Sequence, residues 1–458
     1  MIPSKKHIFR QYDIRGVWGK DLDEDIVFAI GRAMAFRISE RFAGKKDLKV
    51  TIGRDVRLSS PAMLSALAAA FTKSGIDVVD LGACPTPVQY FSLFREKMPV
   101  DGGAMITASH NPAEFNGLKL SIGTETIYGD EIQRIKRYID EGRTVDGSGS
   151  IVTHNIIPGY MEYMRAQFGS LEGIKAVLDC GNGVAGLVAP ELLSSMDIDV
   201  IPLYCTPDGT FPNHHPDPVV PENIKDLIST VLKEKADLGI GYDGDGDRIG
   251  VVDGDGEIVW GDRLLSLFSR QLLKEHPGAT IIGEVKCSQS LYDDIEDRGG
   301  TPMMWKTGHS LIKSKMKETG ALLAGEMSGH IFFKDRYFGY DDAVYASLRL
   351  IEALKKNGPP YSIKRLLTGL PRLSITPEIR VDCPDEKKFD VVERIKEELG
   401  RQHPIIDIDG VRVRYPDGWG LVRASNTQPA LVLRFEAMDD EKLNKMREDV
   451  EVKLKRLL

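Results

Sequence analysis

At 458 residues the chain is too long for a single core, and roughly three or four domains are expected. With 42% hydrophobic and 28% charged residues it has enough apolar content for packed cores, and its composition is not that of a disordered chain. A net charge of -8 excludes a general basic field for nucleic acid or an anionic membrane, so an anionic ligand needs a local basic pocket.

Helical spacing of Ile26, Ile30, Ala33, Met34 and Ile38 predicts a helix over 25–42, and the apolar run 48–52 predicts a strand after Gly44. Ser60-Pro61 reads as the N-cap and first residue of a helix that runs through Phe71 and stops at Gly75, before a strand over 76–81. Such alternation implies a mainly parallel sheet with flanking helices. Thr107-Ala-Ser-His-Asn-Pro112 follows the small, apolar run 102–106, which puts Ser109 on a loop leaving a strand. A free hydroxyl is a poor nucleophile. Once phosphorylated it presents anionic oxygens to a cation, and His110 and Lys119 are nearby groups for handling protons or balancing charge. A Ser/Asn/Pro turn with a satisfied histidine is the alternative.

The pattern restarts after the Gly/Ser stretch 146–150, with a helix over 158–168 and strands over 176–178 and 200–203. Between those strands Gly181-Asn-Gly-Val-Ala-Gly186 has the G-x-G-x-x-G spacing of a dinucleotide site. The next strand ends at Tyr204-Cys205 without the acidic residue that binds a ribose, so the glycines are expected to make a tight strand-to-helix turn rather than an oxidoreductase fingerprint.

Asp243-Gly-Asp-Gly-Asp-Arg248 sets three carboxylates at alternate positions between the apolar runs 238–240 and 249–252. The glycines let the backbone curl until Asp243, Asp245 and Asp247 converge, and Mg²⁺ takes oxygen ligands while retaining water or substrate oxygens. A polar turn is the alternative, and Asp253-Gly-Asp-Gly-Glu257 provides a comparison that reads as a hairpin turn. An EF-hand is excluded, because the sixth position from Asp243 is Arg248 rather than Gly and the twelfth is Gly254 rather than Glu.

A third block follows, with a helix over 262–273, a strand over 280–282 and a helix over 342–355. Beyond the Gly358-Pro359-Pro360 break, strands over 375–381, 411–415, 420–423 and 430–436 surround helices over 389–398 and 440–457, the pattern of a small α+β domain. Its loop Arg423-Ala-Ser-Asn-Thr-Gln-Pro429 can hold a phosphate through backbone N–H groups and one arginine, with a solvated turn as the alternative.

Together, Phe9-Arg-Gln-Tyr-Asp-Ile-Arg-Gly16, the serine loop, the aspartate loop, Gly325-Glu-Met-Ser-Gly-His330 and the loop 423–429 resemble the motifs of the α-D-phosphohexomutase superfamily, most closely its phosphomannomutase/phosphoglucomutase branch. The resemblance implies an α/β protein of four domains around a central cleft, three similar α/β domains with mixed sheets and a smaller α+β C-terminal domain, at about 1–150, 151–256, 257–366 and 367–458. It implies that Ser109 carries a phosphoryl group and that Asp243, Asp245 and Asp247, with a phosphoserine oxygen of Ser109, bind Mg²⁺. Arg15, His110, Lys119 and Arg248 match family active-site positions, and His330 is a further proton-handling candidate or a structural histidine. For the substrate it implies Glu326 and Ser328 on sugar hydroxyls and Arg423, Ser425, Asn426 and Thr427 on the distal phosphate, with Lys286 and His309 in the pocket. Tyr12 lines the entry or packs.

The resemblance also implies interconversion of hexose 1- and 6-phosphates of mannose and glucose, with a hexose 1,6-bisphosphate as intermediate and activator. Phosphoglucosamine mutase is the alternative, although those enzymes tend to have Gln where this chain has Met327. A non-catalytic sugar-phosphate sensor would use the same pocket. Gln428 departs from the small hydroxyl residue of many relatives. Expected partners are hexose phosphates, with no nucleic acid and no membrane, and the chain is expected to be a monomer or weak oligomer. Five scattered cysteines without a C-x-x-C spacing, and no apolar run near the N-terminus, suggest a cytoplasmic protein.

Overall fold

The computed structural model describes residues 6–426 and 429–458 and contains four sheets. In the first, Lys49–Arg54 lies parallel to both Asp77–Ala83 and Gly102–Ile106, and Gly102–Ile106 then pairs antiparallel with Phe115–Ile122. Ile14–Val17 closes one edge against Phe115–Ile122. At the other edge Ile151–Thr153, just past the Gly/Ser stretch, lies parallel to Asp77–Ala83.

The second sheet runs Ile258–Val259, Ile249–Asp253, Leu238–Tyr242, Lys175–Asp179, Asp199–Leu203, and the third Thr301–Trp305, Thr280–Glu284, Leu323–Gly325, Ile331–Phe333. Both combine parallel strands with an antiparallel partner. The fourth is wholly antiparallel, with Gly418–Ala424 and Ala430–Ala437 at its centre. Three α/β units with mixed sheets and one smaller α+β unit are thus present, in the expected order. Among the described residues no helix is long and apolar enough to cross a membrane.

One topological device recurs. Each motif loop joins a strand to its antiparallel neighbour: the serine loop between Gly102–Ile106 and Phe115–Ile122, the aspartate loop between Leu238–Tyr242 and Ile249–Asp253, the glutamate loop between Leu323–Gly325 and Ile331–Phe333, and the last between Gly418–Ala424 and Ala430–Ala437. A reversal between paired strands is short and anchored at both ends, so its polar side chains ride on a rigid frame.

Local signals explain most elements. The first long helix is Glu24–Arg41, and Asp23 caps it by accepting from the Ile26 N–H at 2.8 Å. Ile26, Ile30, Ala33, Met34 and Ile38 are buried, as their spacing predicts. Asp253–Glu257 is the expected hairpin turn.

Two details differ. Ser59 stands at the N-cap of Ser60–Lys73 without a side-chain cap, and the Ser60 hydroxyl donates instead to buried Asp55 at 2.6 Å. The strand expected over 375–381 is two pieces, Ser374–Ile375 and Ile379–Asp382, with Pro377, which has no N–H to give a ladder, between them.

A continuous apolar core runs through the second and third units and takes in Val79, Leu81, Val88 and Phe91 from the first. The fourth unit has a separate core and meets the third through a small cluster of Val285, Trp419 and Leu421. Polar contacts finish that seam: buried Arg412 donates to the carbonyls of Val285 at 2.6 Å and Cys287 at 2.8 Å while lying over the Trp419 ring. A seam this small and polar is the kind that permits domain motion.

Candidate active site

Ser109 is 2% exposed and holds a φ of 51°, left-handed backbone that a residue with a Cβ rarely adopts. Such strain persists only where the surroundings over-determine it. Here the cause is Arg57. Fully buried, it donates to the backbone carbonyls of Ser109 at 2.8 Å, Asn111 at 2.6 Å, Pro112 at 2.5 Å and Phe115 at 3.0 Å, while its Nε donates to Asp55 at 3.0 Å. One guanidinium therefore pins the whole serine loop from behind. Nothing in the local pattern around Arg57 announces this role. On the open side Arg15 donates to Asn111 Oδ1 at 2.7 Å, and His110 Nδ1 lies 3.1 Å from Ser109 Oγ. Burial, and after it the charges of Arg248 and Arg15, pushes the His110 imidazole well below its ordinary range, so it stays neutral.

The aspartate loop lies directly against this hydroxyl. Asp243, Asp245 and Asp247 are all fully buried, with carboxylate oxygens within 4.8 Å of one another. Ser109 Oγ donates to Asp243 Oδ2 at 2.7 Å. Asp243 Oδ1 accepts the N–H groups of Asp247 and Arg248, both at 3.1 Å, so the loop curls around its own first carboxylate. Burial, then the neighbouring Asp245 and Asp247, pushes the Asp243 carboxyl well above its ordinary range. At Asp245 burial acts the same way but is outweighed by the Lys119 ammonium, 2.7 Å from Oδ2, which holds that carboxyl low. Lys119 bonds Asp247 Oδ2 as well, and Thr86 Oγ1 donates to Asp245.

Asp245 Oδ1 and Asp247 Oδ1 are buried without a hydrogen-bond partner. An all-oxygen set with unused lone pairs and excess negative charge fits a hard divalent cation. The two loops abut at Gly244, where a Cβ would lie 2.5 Å from the Ser109 carbonyl oxygen. Gly244→Ala should therefore push Ser109 away from the cage and lower turnover about 10²-fold, the scale of an ångström-sized misplacement. Steady-state rates checked beside the unfolding midpoint separate this from loss of fold.

Across the cage, Asp247, His330 and Asp341 form a second buried group whose ligand atoms lie within 4.8 Å of one another. Asp341, which sequence reasoning missed, sits 3.0 Å from His330 Nδ1, 3.7 Å from His309 Nδ1 and 3.1 Å from Lys313 Nζ. Arg248 Nε lies 2.9 Å from His330 Nε2. Glu326 is buried, accepts the Gly308 N–H and has Ser328 Oγ 3.4 Å away; burial pushes its carboxyl up.

Lys286 pairs with Glu378 at 3.2 Å, and Arg423 with Asp409 at 3.0 Å. Tyr12 donates to the Thr307 carbonyl at 2.6 Å and accepts from Asn426 Nδ2 at 2.6 Å, tying the first unit to the third and the last. Ser425 is buried beside Lys388, whose ammonium donates to the Ser425 carbonyl. Direct contacts thus link the first unit to the second through Ser109 and Asp243, the second to the third through Arg248 and His330, and the first to the third and last through Tyr12, with Thr427 and Gln428 lying outside the described residues.

The residues over 181–186 form a tight turn rather than a nucleotide cradle: Val184–Leu187 is a 3₁₀ turn leading to a short helix, and Val184 N donates to the Gly244 carbonyl at 3.2 Å.

Family models for phosphoglucomutase/phosphomannomutase match residues 6–146 (alpha/beta/alpha domain I), 158–256 (domain II), 260–372 (domain III) and 378–452 (C-terminal domain). The chain belongs to the phosphoglucomutase/phosphomannomutase family. It is 46% identical to the phosphomannomutase/phosphoglucomutase of Pseudomonas aeruginosa over 441 residues, 96% of this chain and 94% of that one. It is 43% identical to the phosphoglucomutase of Neisseria gonorrhoeae over 442 residues, covering 95% and 94%. Among solved structures, a phosphoglucomutase/phosphomannomutase family protein from Burkholderia thailandensis superposes with a TM-score of 0.92 at 42% identity, covering 99% of this chain and 98% of that one. By family the chain is a phosphotransferase of the hexose-phosphate mutase type.

Proposed function

We propose that this protein interconverts the 1- and 6-phosphates of mannose and of glucose, with Ser109 as phosphoryl carrier and a hexose 1,6-bisphosphate as intermediate and activator. The observation that carries this reading is the placement of Ser109 Oγ 2.7 Å from Asp243, at the rim of an acidic cage on a different unit. Asp243, Asp245 and Asp247, with an oxygen of phosphorylated Ser109, would hold Mg²⁺. Bound there, the ion would supply charge neutralisation for the transferring phosphoryl group.

The chain's own residues account for the remaining steps. Neutral His110 faces the Ser109 oxygen and exchanges its proton. His330, its Nδ1 held by Asp341, takes the proton from the attacking sugar hydroxyl on Nε2 once Arg248 Nε releases that nitrogen. Lys119 balances charge in the aspartate cage, and Arg15 does so at the serine loop. Glu326 and Ser328 grip neighbouring sugar hydroxyls. Arg423, Ser425, Asn426 and Thr427 hold the phosphate that is not reacting, with Lys286, His309 and Tyr12 around it. The phosphoryl group passes from Ser109 to the free hydroxyl, the bisphosphate turns in the cleft, and its other phosphate returns to Ser109. The last unit moves most between these transfers, and the protein works as a cytoplasmic monomer or weak oligomer.

A coupled assay converting mannose 1-phosphate and glucose 1-phosphate to the 6-phosphates, with Mg²⁺ and bisphosphate present, tests this. Turnover on both is expected. Binding without turnover would make the protein a sugar-phosphate sensor, and turnover on glucosamine phosphates alone would make it a phosphoglucosamine mutase.

A further inference from the structure

All five cysteines are free, and two of them meet. Cys180 follows the strand Lys175–Asp179 and Cys205 lies just past its parallel neighbour Asp199–Leu203, which brings the two Sγ atoms to 3.1 Å. Cys205 is part-exposed, whereas Cys84, Cys180, Cys287 and Cys383 are buried. The Cys180 thiol, by hydrogen bonding, lowers the pKa of Cys205 against the opposing effect of burial, while burial pushes Cys84 up to about 12 in spite of Arg54. The thiol that solvent can reach is thus also the readiest to ionise, and the thiolate is the form that reacts with oxidants.

This pair flanks the glycine-rich turn over 181–186. A Cβ on Gly186 would lie 2.1 Å from the Cys205 carbonyl oxygen, and one on Gly183 would lie 2.7 Å from the Gly244 carbonyl oxygen. The turn is therefore packed without slack between the dithiol and the aspartate loop, and the Val184 N–H bonds the Gly244 carbonyl directly. A backbone shift at Cys180 or Cys205 is passed to Gly244, and Gly244 abuts Ser109.

We propose that Cys180 and Cys205 form a reversible disulfide in response to a hydroperoxide and that this bond slows turnover by displacing the aspartate loop. In the first step the Cys205 thiolate attacks a peroxide oxygen; the O–O bond breaks, leaving a sulfenic acid and, after protonation, water (or the alcohol, from an alkyl hydroperoxide). Cys180 then attacks that sulfur, the S–S bond forms, and the sulfenic oxygen leaves as water. Two thiols are oxidised and one hydroperoxide is reduced. Closing the sulfurs to about 2.05 Å draws them together by roughly 1 Å, a movement that can cost up to about 10²-fold when it reaches groups aligned for catalysis.

The test treats the full-length protein with hydrogen peroxide and maps it by non-reducing proteolysis and mass spectrometry. A linked peptide pair containing Cys180 and Cys205, two fewer titratable thiols and a loss of turnover of about tenfold or more, restored by dithiothreitol, are expected. Cys205→Ser, and in parallel Cys180→Ala, should keep turnover and lose the response. The loss of turnover rests on the mutase reading, whereas the peptide map does not; absence of turnover in the reduced protein would count against that reading alone. The proposal is overturned if no linked pair forms at peroxide levels that oxidise glutathione, or if the linked protein turns over within about twofold of the reduced one.

Discussion

Ser109→Ala should lose mutase turnover by about three orders of magnitude or more, the scale on which removing a covalent nucleophile acts, while hexose-phosphate binding stays within a few fold. The split follows from geometry. Ser109 Oγ makes contacts with Asp243 and His110, and its backbone carbonyl is held separately by Arg57, so the alanine variant keeps the loop and loses only the oxygen. Residues proposed for the substrate lie on other loops. Deleting the hydroxyl also removes one donor to Asp243, a buried carboxyl that burial and its neighbours already disfavour as an anion. A modest stability change is expected, with the unfolding midpoint reporting it. Calorimetric titration with glucose 1-phosphate beside the coupled assay gives both halves, and a variant that keeps more than about a tenth of wild-type turnover would remove Ser109 from the role of carrier.

The parts of this site that a reader of the sequence can find are those whose signal is local. Asp243, Asp245 and Asp247 announce themselves because glycines alternate with carboxylates within one turn, and Ser109 because it follows a short apolar strand. Arg57 and Asp341 give no such signal. Each is a buried charge whose meaning depends on partners brought by the fold: Arg57 is separated by 52 residues from the serine whose carbonyl it holds, and Asp341 reaches two histidines and a lysine on other elements.

The recurring hairpin placement was equally hidden, because four loops with different chemistry share no residues, only a position between antiparallel strands. Boundary errors have their own physical causes. Ser60 looks like a cap, yet a buried carboxylate at Asp55 competes for its hydroxyl more strongly than a helix terminus that water can serve. The glycines over 181–186 matched a nucleotide pattern because both needs are the same, close approach of backbone. Here the thing approached is Gly244 rather than a pyrophosphate.

Lys119→Met should destabilise the protein by about 3–5 kcal/mol near neutral pH, because it removes the cation from between two fully buried carboxylates and leaves their charge uncompensated. The sign with pH follows from Asp245, whose carboxyl is held below its ordinary range in the folded protein. A depressed folded pKa contributes stability that is present above the unfolded value of about 3.9 and is lost as pH falls through the folded one. In the methionine variant that contribution is absent, and burial instead favours the protonated carboxyl. The gap between wild type and variant is therefore widest near pH 7 and narrows on acidification, first as the variant's Asp245 takes up a proton above about pH 4 and then, below it, as the wild type loses its own contribution. Adding a divalent cation should recover part of the loss in the variant by binding the same oxygens, since a ligand that binds only the folded state stabilises it. Urea unfolding at several pH values, with and without Mg²⁺, reads all three effects. A gap that stays constant with pH would mean that lost packing around the long Lys119 stem, rather than charge, accounts for the cost.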